Sequence, residues 1–359
     1  MKKDMLITLP KLSTSGGVSS FWNSLLPVLE KYEDLNIETL EIGGHGKKLY
    51  GPIIDQWKFY KKTNTNVDLA FLNPSLGSKS FFRDALFAKR LSKKNISFLV
   101  FFHGWNLDFE KKVDEKYINF FLRSFGQAKK IFVLSKDFKN KILEWGYQGD
   151  VIIETTNVDN MLLKNFSIKE KFEQIKTAKK IRILFLARLL REKGVFETVE
   201  AFEYLLKKFK NIELIVAGDG KDYDELKTRV EGNENIIVAG YVQGEDKIDL
   251  FRKSHIYCFP TYYGEGLPTS ILEAMAFGLP VITTDVGGLK EFFQDEKMGF
   301  FVNPKDVRQL SEKLELLILD SNKVIKIGKY NYQYANDKLL NIVVAERMYQ
   351  YIKSILINQ

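Results

Sequence analysis

The chain contains a single cysteine, Cys258, and three histidines among its 359 residues. One thiol cannot form an intrachain disulfide, and so few thiols and imidazoles exclude a thiolate metal cluster. No apolar run approaches the roughly 20 residues that cross a bilayer as a helix. The chain begins with "MKK", but the apolar stretch that follows is too short for a signal peptide and predicts a first strand. We therefore expect a protein of a reducing compartment, the cytoplasm.

Acidic residues are outnumbered, and the imbalance lies in the first half of the chain. The formal net charge is +8. Residues 1–170 carry 26 Lys/Arg against 19 Asp/Glu, whereas the remainder carries 28 against 27. A basic half suggests an anionic partner, although a solvated lysine-rich surface accounts for most individual lysines. Nucleic acid is disfavoured as the partner, because the chain has no aromatic–basic recognition motif, helix-turn-helix pattern or zinc signature.

Short apolar runs alternate with longer amphipathic ones along the chain. Strands are predicted over "MLITLP", "VDLAFLN", "SFLVFFHG" and "KIFVLS", and again over "IRILFLAR", "IELIVAGDG", "IIVAGYV", "IYCFPT" and "PVITTD". Such alternation predicts parallel sheets and an α/β fold. A charged stretch near residues 163–180 has no pattern and places a boundary near residue 175. We predict domains over residues 1–170 and 178–335, followed by one amphipathic helix over the last 25 residues.

Glycine and polar residues follow the predicted strands, where open α/β sheets bind ligands. In the first half these residues are Gly16, Gly17 and His103. In the second half they are Arg188, Lys193, Gly218, Glu265, Gly266 and Leu267. One such cluster is usually only a turn, but its recurrence in both halves predicts a ligand-binding cleft between two domains.

Arginine is used sparingly, in only 10 of the 54 basic positions. One of these, Arg188, stands at the end of a predicted strand and five residues before Lys193. A guanidinium fork combined with an ammonium group fits a diphosphate. The alternative interpretation of Arg188 is a surface salt bridge.

Two glutamates, Glu265 and Glu273, stand eight residues apart in "GEGLPTSILEAMAFGLPVI". Apolar neighbours surround Glu273, and a buried carboxylate needs partners, which ribose hydroxyls would supply. Glu265 lies in a Gly/Pro turn before a helix, within reach of a sugar. The backbone N–H groups of Gly266 and Leu267 could meet phosphate oxygens there. The pair therefore predicts a nucleotide-activated sugar as ligand.

These motifs resemble the sugar-nucleotide signature of retaining glycosyltransferases of the GT-B fold, in particular glycosyltransferase family 4. Glu265 and Glu273 match its E-x7-E pattern, and "ARLLREKG" resembles its diphosphate-binding segment, with Arg188 and Lys193 in the cationic positions. The resemblance implies two Rossmann-like domains facing across a cleft. It also implies that the C-terminal helix, about residues 340–359, returns to the N-terminal acceptor-binding domain.

The resemblance assigns roles to further residues. Gly16 and Gly17 resemble the glycine loop near the donor phosphates, and His103 in "FFHG" matches the active-site histidine near the acceptor. Gly218 resembles a glycine turn, and Tyr241 and Val242 resemble the loop that holds the base.

The chain also departs from the family pattern. The departures are Ala187 where the family has glycine, "TTNVD" without its proline and glycine, and His255, which we interpret as structural. His45 is interpreted as a loop residue, with an acceptor contact as the alternative.

By this resemblance the donor is a nucleoside diphosphate sugar, with UDP the expected nucleotide, and the anomeric configuration is retained. No Asp-x-Asp motif ends a predicted strand, so Arg188 and Lys193 are expected to replace a metal, and no cofactor is expected. His103, Arg188, Lys193 and Glu265 are the expected catalytic residues. Two alternatives are a catalytically silent sugar-nucleotide-binding subunit and a sugar-nucleotide epimerase of the same fold. The Arg/Lys/Glu/Glu set is complete, and the extra acid–base residues that an epimerase needs are not evident.

The acceptor is indicated only indirectly. Residues 78–95 carry six basic residues and one acid, and their apolar positions are Phe81, Phe82, Ala85, Leu86 and Ala88. A basic amphipathic helix over 79–94 is typical of contact with an anionic membrane, and an ordinary surface helix is the equal alternative. Membrane contact would place the protein peripherally on the inner face of the membrane. The acceptor would then be a lipid-linked oligosaccharide, lipopolysaccharide or capsule glycan.

Overall fold

The computed structural model describes residues 2–14, 16–44, 50–264 and 266–357. The chain forms two compact units, one of Met1–Asn157 with Asn341–Gln359 and the other of Val158–Leu340. Each unit is built on one six-stranded sheet whose paired strands are all parallel. The predicted α/β class, with two Rossmann-like units, is confirmed.

The first unit contains eight strands. They are β1 (Lys3–Leu9), β2 (Leu35–Glu41), β3 (Leu69–Leu72), β4 (Ser75–Leu76), β5 (Ser97–Phe101), β6 (Gly104–Trp105), β7 (Lys130–Val133) and β8 (Asp150–Ile153). The main sheet has the order β2-β1-β3-β5-β7-β8, and β4 pairs with β6 just beyond the carboxyl ends of β3 and β5. All four residues of β3 are buried, as expected for a central parallel strand that is covered on both faces.

Helices of the first unit pack on both faces of this sheet. They are α1 (Gly17–Leu29), α2 (Gly51–Lys62), α3 (Ser78–Lys93), α4 (Leu107–Lys112), α5 (Ile118–Leu122) and α6 (Lys136–Glu144). A π-helical turn, Val113–Tyr117, joins α4 to α5. Phe21 and Trp22 of α1 lie in the core on one side of the sheet, whereas Phe81 and Phe87 of α3 lie in the core on the other.

The second unit contains six strands and eight helices. The strands are β9 (Ile181–Leu186), β10 (Ile212–Ala217), β11 (Ile236–Gly240), β12 (Ile256–Phe259), β13 (Val281–Thr283) and β14 (Gly299–Phe301), in the order β11-β10-β9-β12-β13-β14. The helices are α7 (Ile168–Lys176), α8 (Val195–Leu206), α9 (Tyr223–Arg229), α10 (Gly244–Lys253), α11 (Thr269–Ala276), α12 (Leu289–Phe292), α13 (Val307–Leu319) and α14 (Ser321–Lys338). All nine predicted strands are present, while β2, β4, β6, β8 and β14 were not predicted.

The sequence suggested that the charged stretch near residues 163–180 has no regular structure, and this expectation is wrong. The stretch contains α7, whose N-terminus is capped by Ser167 through a hydrogen bond from the Glu170 N–H. Phe172 and Ile175 bury the apolar face of α7 in the second unit. The change from the first unit to the second therefore falls between Asn157 and Val158, upstream of the predicted boundary near residue 175.

The C-terminal helix α15 (Asn341–Leu356) packs in the first unit, as predicted. Val344, Met348 and Ile352 enter the core beside α1. The expectation of a single helix over the last 25 residues is wrong, because α14 ends at Lys338 and α15 begins at Asn341. At this break the Leu339 carbonyl accepts a hydrogen bond from the Val158 N–H, at 2.8 Å.

The basic helix predicted over residues 79–94 forms as α3, but its apolar face is not available to a membrane. Phe81, Ala85 and Ala88 are buried in the core, and Phe82 is half-buried against it. Only Leu86, at 49% exposure, faces solvent. The hypothesis that this apolar face contacts a bilayer is therefore wrong. No helix in the described part of the chain has the length and apolar character that spanning a membrane requires.

Candidate functional site

The loops that follow β9, β10 and β12 meet at the carboxyl edge of the second sheet, because β9 lies between the other two strands. Gly218, just after β10, has φ of 141°, and a Cβ there would lie 1.8 Å from the Ala187 carbonyl oxygen. A side chain at this position would push the two loops apart. Gly218, predicted as a binding residue, thus sets the close approach of the loop that carries Arg188.

Lys193 lies at the start of α8, in a 3₁₀ turn formed by Arg191–Lys193. Gly194 follows in the left-handed region with φ of 81°, and a Cβ there would meet the Pro260 carbonyl oxygen at 2.3 Å. The close approach of the Gly194 backbone to Pro260 brings Lys193 to the loop after β12. Its ammonium is buried and lies 4.4 Å from the Tyr263 ring centre. Glu265, two residues after Tyr263, lies outside the described residues.

Arg188 follows β9 on the same loop as Lys193 but is exposed. Within the described ranges its side chain makes no hydrogen bond or ion pair, which contradicts the alternative of a surface salt bridge among those residues. Its guanidinium is accordingly not engaged by a described protein acid. The two predicted cations therefore differ, since one is buried beside an aromatic ring and the other is open to solvent.

Glu273 is buried on α11, as its apolar neighbours predicted. Its Oε1 accepts a hydrogen bond of 2.6 Å from Nζ of Lys247 on α10. Burial raises the pKa of the Glu273 carboxyl, and the Lys247 ammonium opposes that rise. The sequence analysis did not identify Lys247. The sequence indicated only that a buried carboxylate at Glu273 needs a partner. No sequence motif indicated that the partner lies 26 positions away.

Helix α10, which carries Lys247, is held at its C-terminus by another lysine. Nζ of Lys171, on α7, donates hydrogen bonds to the carbonyl oxygens of Phe251, Arg252 and Ser254. These carbonyls have no partners inside the helix, so the buried ammonium caps it. Burial, aided by the charge of Arg182, lowers the pKa of Lys171 to about 7.

The turn between β12 and α11 contains Gly266 and Leu267, the predicted phosphate ligands. Leu267 is buried, and Pro268 stands at the N-cap of α11 with no side-chain hydrogen bond capping the helix. The first N–H groups of a helix have no intrahelical acceptors and favour anions. This N-terminus follows β12, the strand next to β9, whose loop carries Lys193.

Tyr241 and Val242, the predicted base-binding residues, follow β11. Gly240, the last residue of β11, has φ of 69°, and its carbonyl accepts a hydrogen bond of 2.7 Å from the Gly218 N–H. Tyr241 is 65% exposed, so its ring face is open, and Val242 is half-buried. The residues thus lie on the loop next to the one that carries Gly218.

In the first unit, Gly16 and Gly17 stand at the start of α1. A Cβ at either position would meet nothing within 4 Å. Gly16 occupies the N-cap without a side-chain hydrogen bond to the helix. Packing against the described residues therefore does not explain either glycine.

His103 follows β5 and is buried in the first unit. Its ring stacks on Phe101 at 3.9 Å between centres, and its Nε2 lies 2.9 Å from Oδ1 of Asn73. The amide nitrogen of Asn73 donates to the Thr8 carbonyl, which makes Oδ1 the acceptor and places the His103 proton on Nε2. Burial lowers the pKa of His103 to about 3, so the ring is neutral at neutral pH. Asn73 was not predicted as a site residue, although it is the last residue of the predicted strand "VDLAFLN".

The remaining sequence predictions have separate outcomes. His255 is structural, as interpreted, because its Nδ1 accepts a hydrogen bond of 2.9 Å from the Arg182 N–H and burial lowers its pKa to about 4. His45 lies outside the described residues. Over the described ranges, no group of three or more His, Cys, Asp or Glu side chains is arranged to hold a metal ion.

Comparison with protein families gives a match for most of the second unit. Residues 167–334 match the family model described as "Glycosyl transferases group 1". The capsular polysaccharide biosynthesis glycosyltransferase CapM of Staphylococcus aureus is 27% identical over 223 residues, which are 60% of this chain and 55% of that protein. The putative teichuronic acid biosynthesis glycosyltransferase TuaC of Bacillus subtilis is 34% identical over 131 residues, covering 36% and 31% of the two chains. The chain thus spans about half the length, or less, of these curated relatives.

Solved structures match the chain over its whole length. Sucrose-phosphate synthase from Thermosynechococcus elongatus superposes with a TM-score of 0.77 at 16% identity, covering 100% of both chains. HepE from Anabaena, solved in complex with UDP and glucose, superposes with a TM-score of 0.70 at 15% identity, covering 98% of this chain and 99% of HepE. Identity this low establishes the fold alone, and that fold is GT-B.

Proposed function

We propose that the chain is a retaining hexosyltransferase that moves a sugar from a nucleoside diphosphate sugar, with UDP as the nucleotide, to a cell-envelope acceptor. One observation carries the proposal. Buried Lys193 lies on the loop after β9. The loop after the neighbouring strand β12 leads into the start of α11, which no side chain caps. Helix α11 itself carries the buried carboxylate of Glu273. A nucleoside diphosphate needs these three groups: a cation, N–H donors and an acceptor for ribose hydroxyls.

We assign the diphosphate to Lys193, Arg188 and the N–H groups of Gly266 and Leu267. During transfer the bond from the anomeric carbon to the diphosphate oxygen breaks, and negative charge develops on the leaving group. Donors that are already in place stabilise this charge without reorganising. Burial of Lys193 strengthens its attraction for a phosphate, and exposed Arg188 can add a two-pronged contact.

We assign the ribose to Glu273. Its Oε1 accepts one hydrogen bond, from Lys247. A carboxylate offers about four acceptor positions, so two ribose hydroxyls can still bond to it. Tyr241, with its exposed ring, and Val242 are then assigned to the base.

We infer that the acceptor hydroxyl attacks the anomeric carbon on the face from which the diphosphate leaves. The hydroxyl proton passes to the leaving phosphate oxygen, so the step balances without a protein nucleophile. Glu265 orients the donor sugar. Arg188 and Lys193 supply the positive charge that a divalent metal provides in other transferases. Neutral His103 is assigned to the acceptor, with Nδ1 as its hydrogen-bonding atom.

The acceptor class is proposed from the relatives. CapM is named for capsular polysaccharide biosynthesis and TuaC for teichuronic acid biosynthesis. We infer that this chain builds a comparable glycan at the cytoplasmic face of the envelope. The acceptor would be a lipid-linked oligosaccharide, lipopolysaccharide or capsule glycan.

A thermal-shift screen against UDP-, GDP-, ADP- and dTDP-sugars without added metal tests the donor assignment. A ligand that binds only the folded state raises the apparent melting temperature. We expect a shift with UDP-sugars that Glu273→Ala abolishes. Glu231→Ala is the matched control, because Glu231 is exposed in the same unit and not assigned to the site. No shift with any of the four, or an equal shift in Glu273→Ala, would contradict the assignment.

A further inference from the structure

Helix α2 of the first unit exposes large apolar side chains along one stripe. Ile53, Trp57 and Tyr60 are 70%, 56% and 52% exposed. Their spacing of four and then three residues places them on one helical face. Single exposed apolar residues are ordinary, but three aligned on one helix form a patch of the kind that marks an interaction site.

The opposite side of α2 is fixed in the unit. Phe59 is fully buried and stacks on Phe87 of α3, with 4.1 Å between ring centres. Gln56 donates a hydrogen bond of 2.9 Å to the Arg83 carbonyl oxygen. The stripe is thus held outward by packing on its far side, and this helix pair presents it as a rigid surface.

The charges of α2 and α3 are sorted by sign. Their only acids, Asp55 and Asp84, are both buried, and both helices are wholly described. Lys62 pairs with Glu38, and Arg83 pairs with Asp84. The basic residues with no acidic partner among the described residues are Lys58, Lys61, Lys79, Lys89, Arg90 and Lys93. The solvent-facing surface of the two helices is therefore cationic, because both of their acidic side chains are buried.

Cations and aromatic rings are paired along this stripe. The Lys61 ammonium lies 3.7 Å from the Trp57 ring centre, and the Arg90 guanidinium lies 3.9 Å from the Tyr60 ring centre. Trp and Tyr present an apolar body with a polar edge, and Lys and Arg present an apolar stem with a charged head. This combination suits the boundary between lipid headgroups and acyl chains.

We propose that this α2 surface, defined by Ile53, Trp57 and Tyr60 with Lys58 and Lys61, docks on an anionic lipid bilayer. The apolar side chains enter the headgroup boundary, and the lysines meet lipid phosphates. Charge selects this occupant over a second copy of the chain, because two such surfaces would bring like charges together. The proposal does not depend on the donor chemistry and is tested without it.

The experiment is co-sedimentation of the full chain with phosphatidylcholine vesicles, with and without phosphatidylglycerol. We expect binding that requires the anionic lipid and weakens as salt rises. Intrinsic fluorescence gives a second readout. Trp22 and Trp145 are buried and Trp105 is partly buried, so a blue shift on binding reports mainly Trp57.

The variant Ile53→Ser/Trp57→Ser/Tyr60→Ser should lower the vesicle partition coefficient by at least about tenfold, as should Lys58→Glu/Lys61→Glu. Matched controls are Tyr204→Ser and Lys207→Glu on α8 of the second unit. Tyr204 is 49% exposed, and the Lys208 ammonium lies 5.4 Å from its ring centre. These side chains are exposed, so all variants should keep the wild-type melting temperature.

Two outcomes would overturn the proposal. One is no binding to phosphatidylglycerol vesicles, or binding that the α2 variants leave unchanged. The other is a concentration-dependent dimer of the wild type, seen by sedimentation velocity and lost in the triple serine variant, which would assign the stripe to a second copy of the chain.

Discussion

Nζ of Lys247 donates a hydrogen bond of 2.6 Å to Oε1 of Glu273, and the pair joins α10 to α11 inside the second unit. Glu273 is the more buried partner, with its side chain 11% exposed against 24% for Lys247. A buried carboxylate without a counter-charge would take up a proton. Lys247 therefore opposes the rise in the pKa of Glu273 and orients its carboxyl group for the ribose that we assign to it.

Replacing Lys247 with Met should destabilise the protein in a pH-dependent way. The pKa of Glu273 is already raised by burial, and loss of the ammonium raises it further. A carboxyl whose folded pKa exceeds its unfolded pKa binds more protons in the folded state, so stability falls as pH rises between the two values. The difference in melting temperature between wild type and Lys247→Met should thus be small below about pH 4.5 and grow toward about pH 7.

Nucleotide binding separates this positioning role from a purely structural one. Lys247→Met should weaken UDP binding by about tenfold near neutral pH, since the ribose then meets a protonated acid. Lys247→Arg should restore much of the affinity and the stability. A variant that loses stability at all pH values equally, with unchanged UDP affinity in calorimetry, would contradict the role of Lys247.

Arg188→Ala should lower kcat by at least about 100-fold, the scale for losing one donor to a developing negative charge. Because the Arg188 side chain is exposed and makes no hydrogen bond or ion pair to a described residue, the melting temperature of Arg188→Ala should stay at the wild-type value. Arg308→Ala is the matched control, since Arg308 is a 90% exposed arginine paired only with Glu312 on α13. Near-normal turnover of Arg188→Ala would leave the diphosphate to Lys193 and the N–H groups of Gly266 and Leu267.

The neutral state of His103 predicts the shape of the pH–rate profile. With a pKa of about 3, His103 contributes no acid limb near pH 6.5 to kcat/KM. Asn73→Asp places a carboxylate against Nε2, which favours the imidazolium and raises the pKa of His103. This variant should therefore gain an acid-dependent change in kcat/KM in the neutral range, and Asn73→Ser should not. Identical profiles for wild type and Asn73→Asp would remove His103 from the acceptor site.

A chelator should leave sugar transfer unchanged, because Arg188 and Lys193 are proposed to carry the charge of a metal. The measurement is product formation after EDTA treatment and dialysis, with and without added Mg²⁺ or Mn²⁺. Activity that disappears with EDTA and returns with a divalent ion would refute the metal-free mechanism.

Which strands the sequence predicted depends on their burial. All nine predicted strands are interior strands or contain continuous apolar runs, such as β3 with four buried residues. Of the five unpredicted strands, β2, β8 and β14 lie at edges of the two six-stranded sheets, and β4 and β6 are two-residue strands that pair with each other. Strands β2, β8 and β14 carry no long apolar run, because β2 exposes four of its seven positions, β8 has only four residues and β14 has only three.

The residues of the candidate site also fall into those that local sequence features predict and those that they do not. Arg188, Lys193, Gly218 and Glu273 were predicted because they stand beside strand ends or within one motif, which are local features. Lys247 and Asn73 were missed because each meets its partner across 26 or 30 residues of chain. Such pairs form only when folding brings together elements that are distant in the sequence.

The sequence by itself determined the α/β class, the interior strands and most of the candidate donor residues, because apolar runs and strand-end motifs are local properties. Only the tertiary structure decided which amphipathic helix faces outward. The pattern of α3 showed an apolar face, yet Phe81 and Ala85 are covered by the unit's own core. The stripe of α2, interleaved with lysines, is left uncovered at Trp57. Burial depends on the neighbours that a segment meets, and those neighbours come from distant parts of the chain.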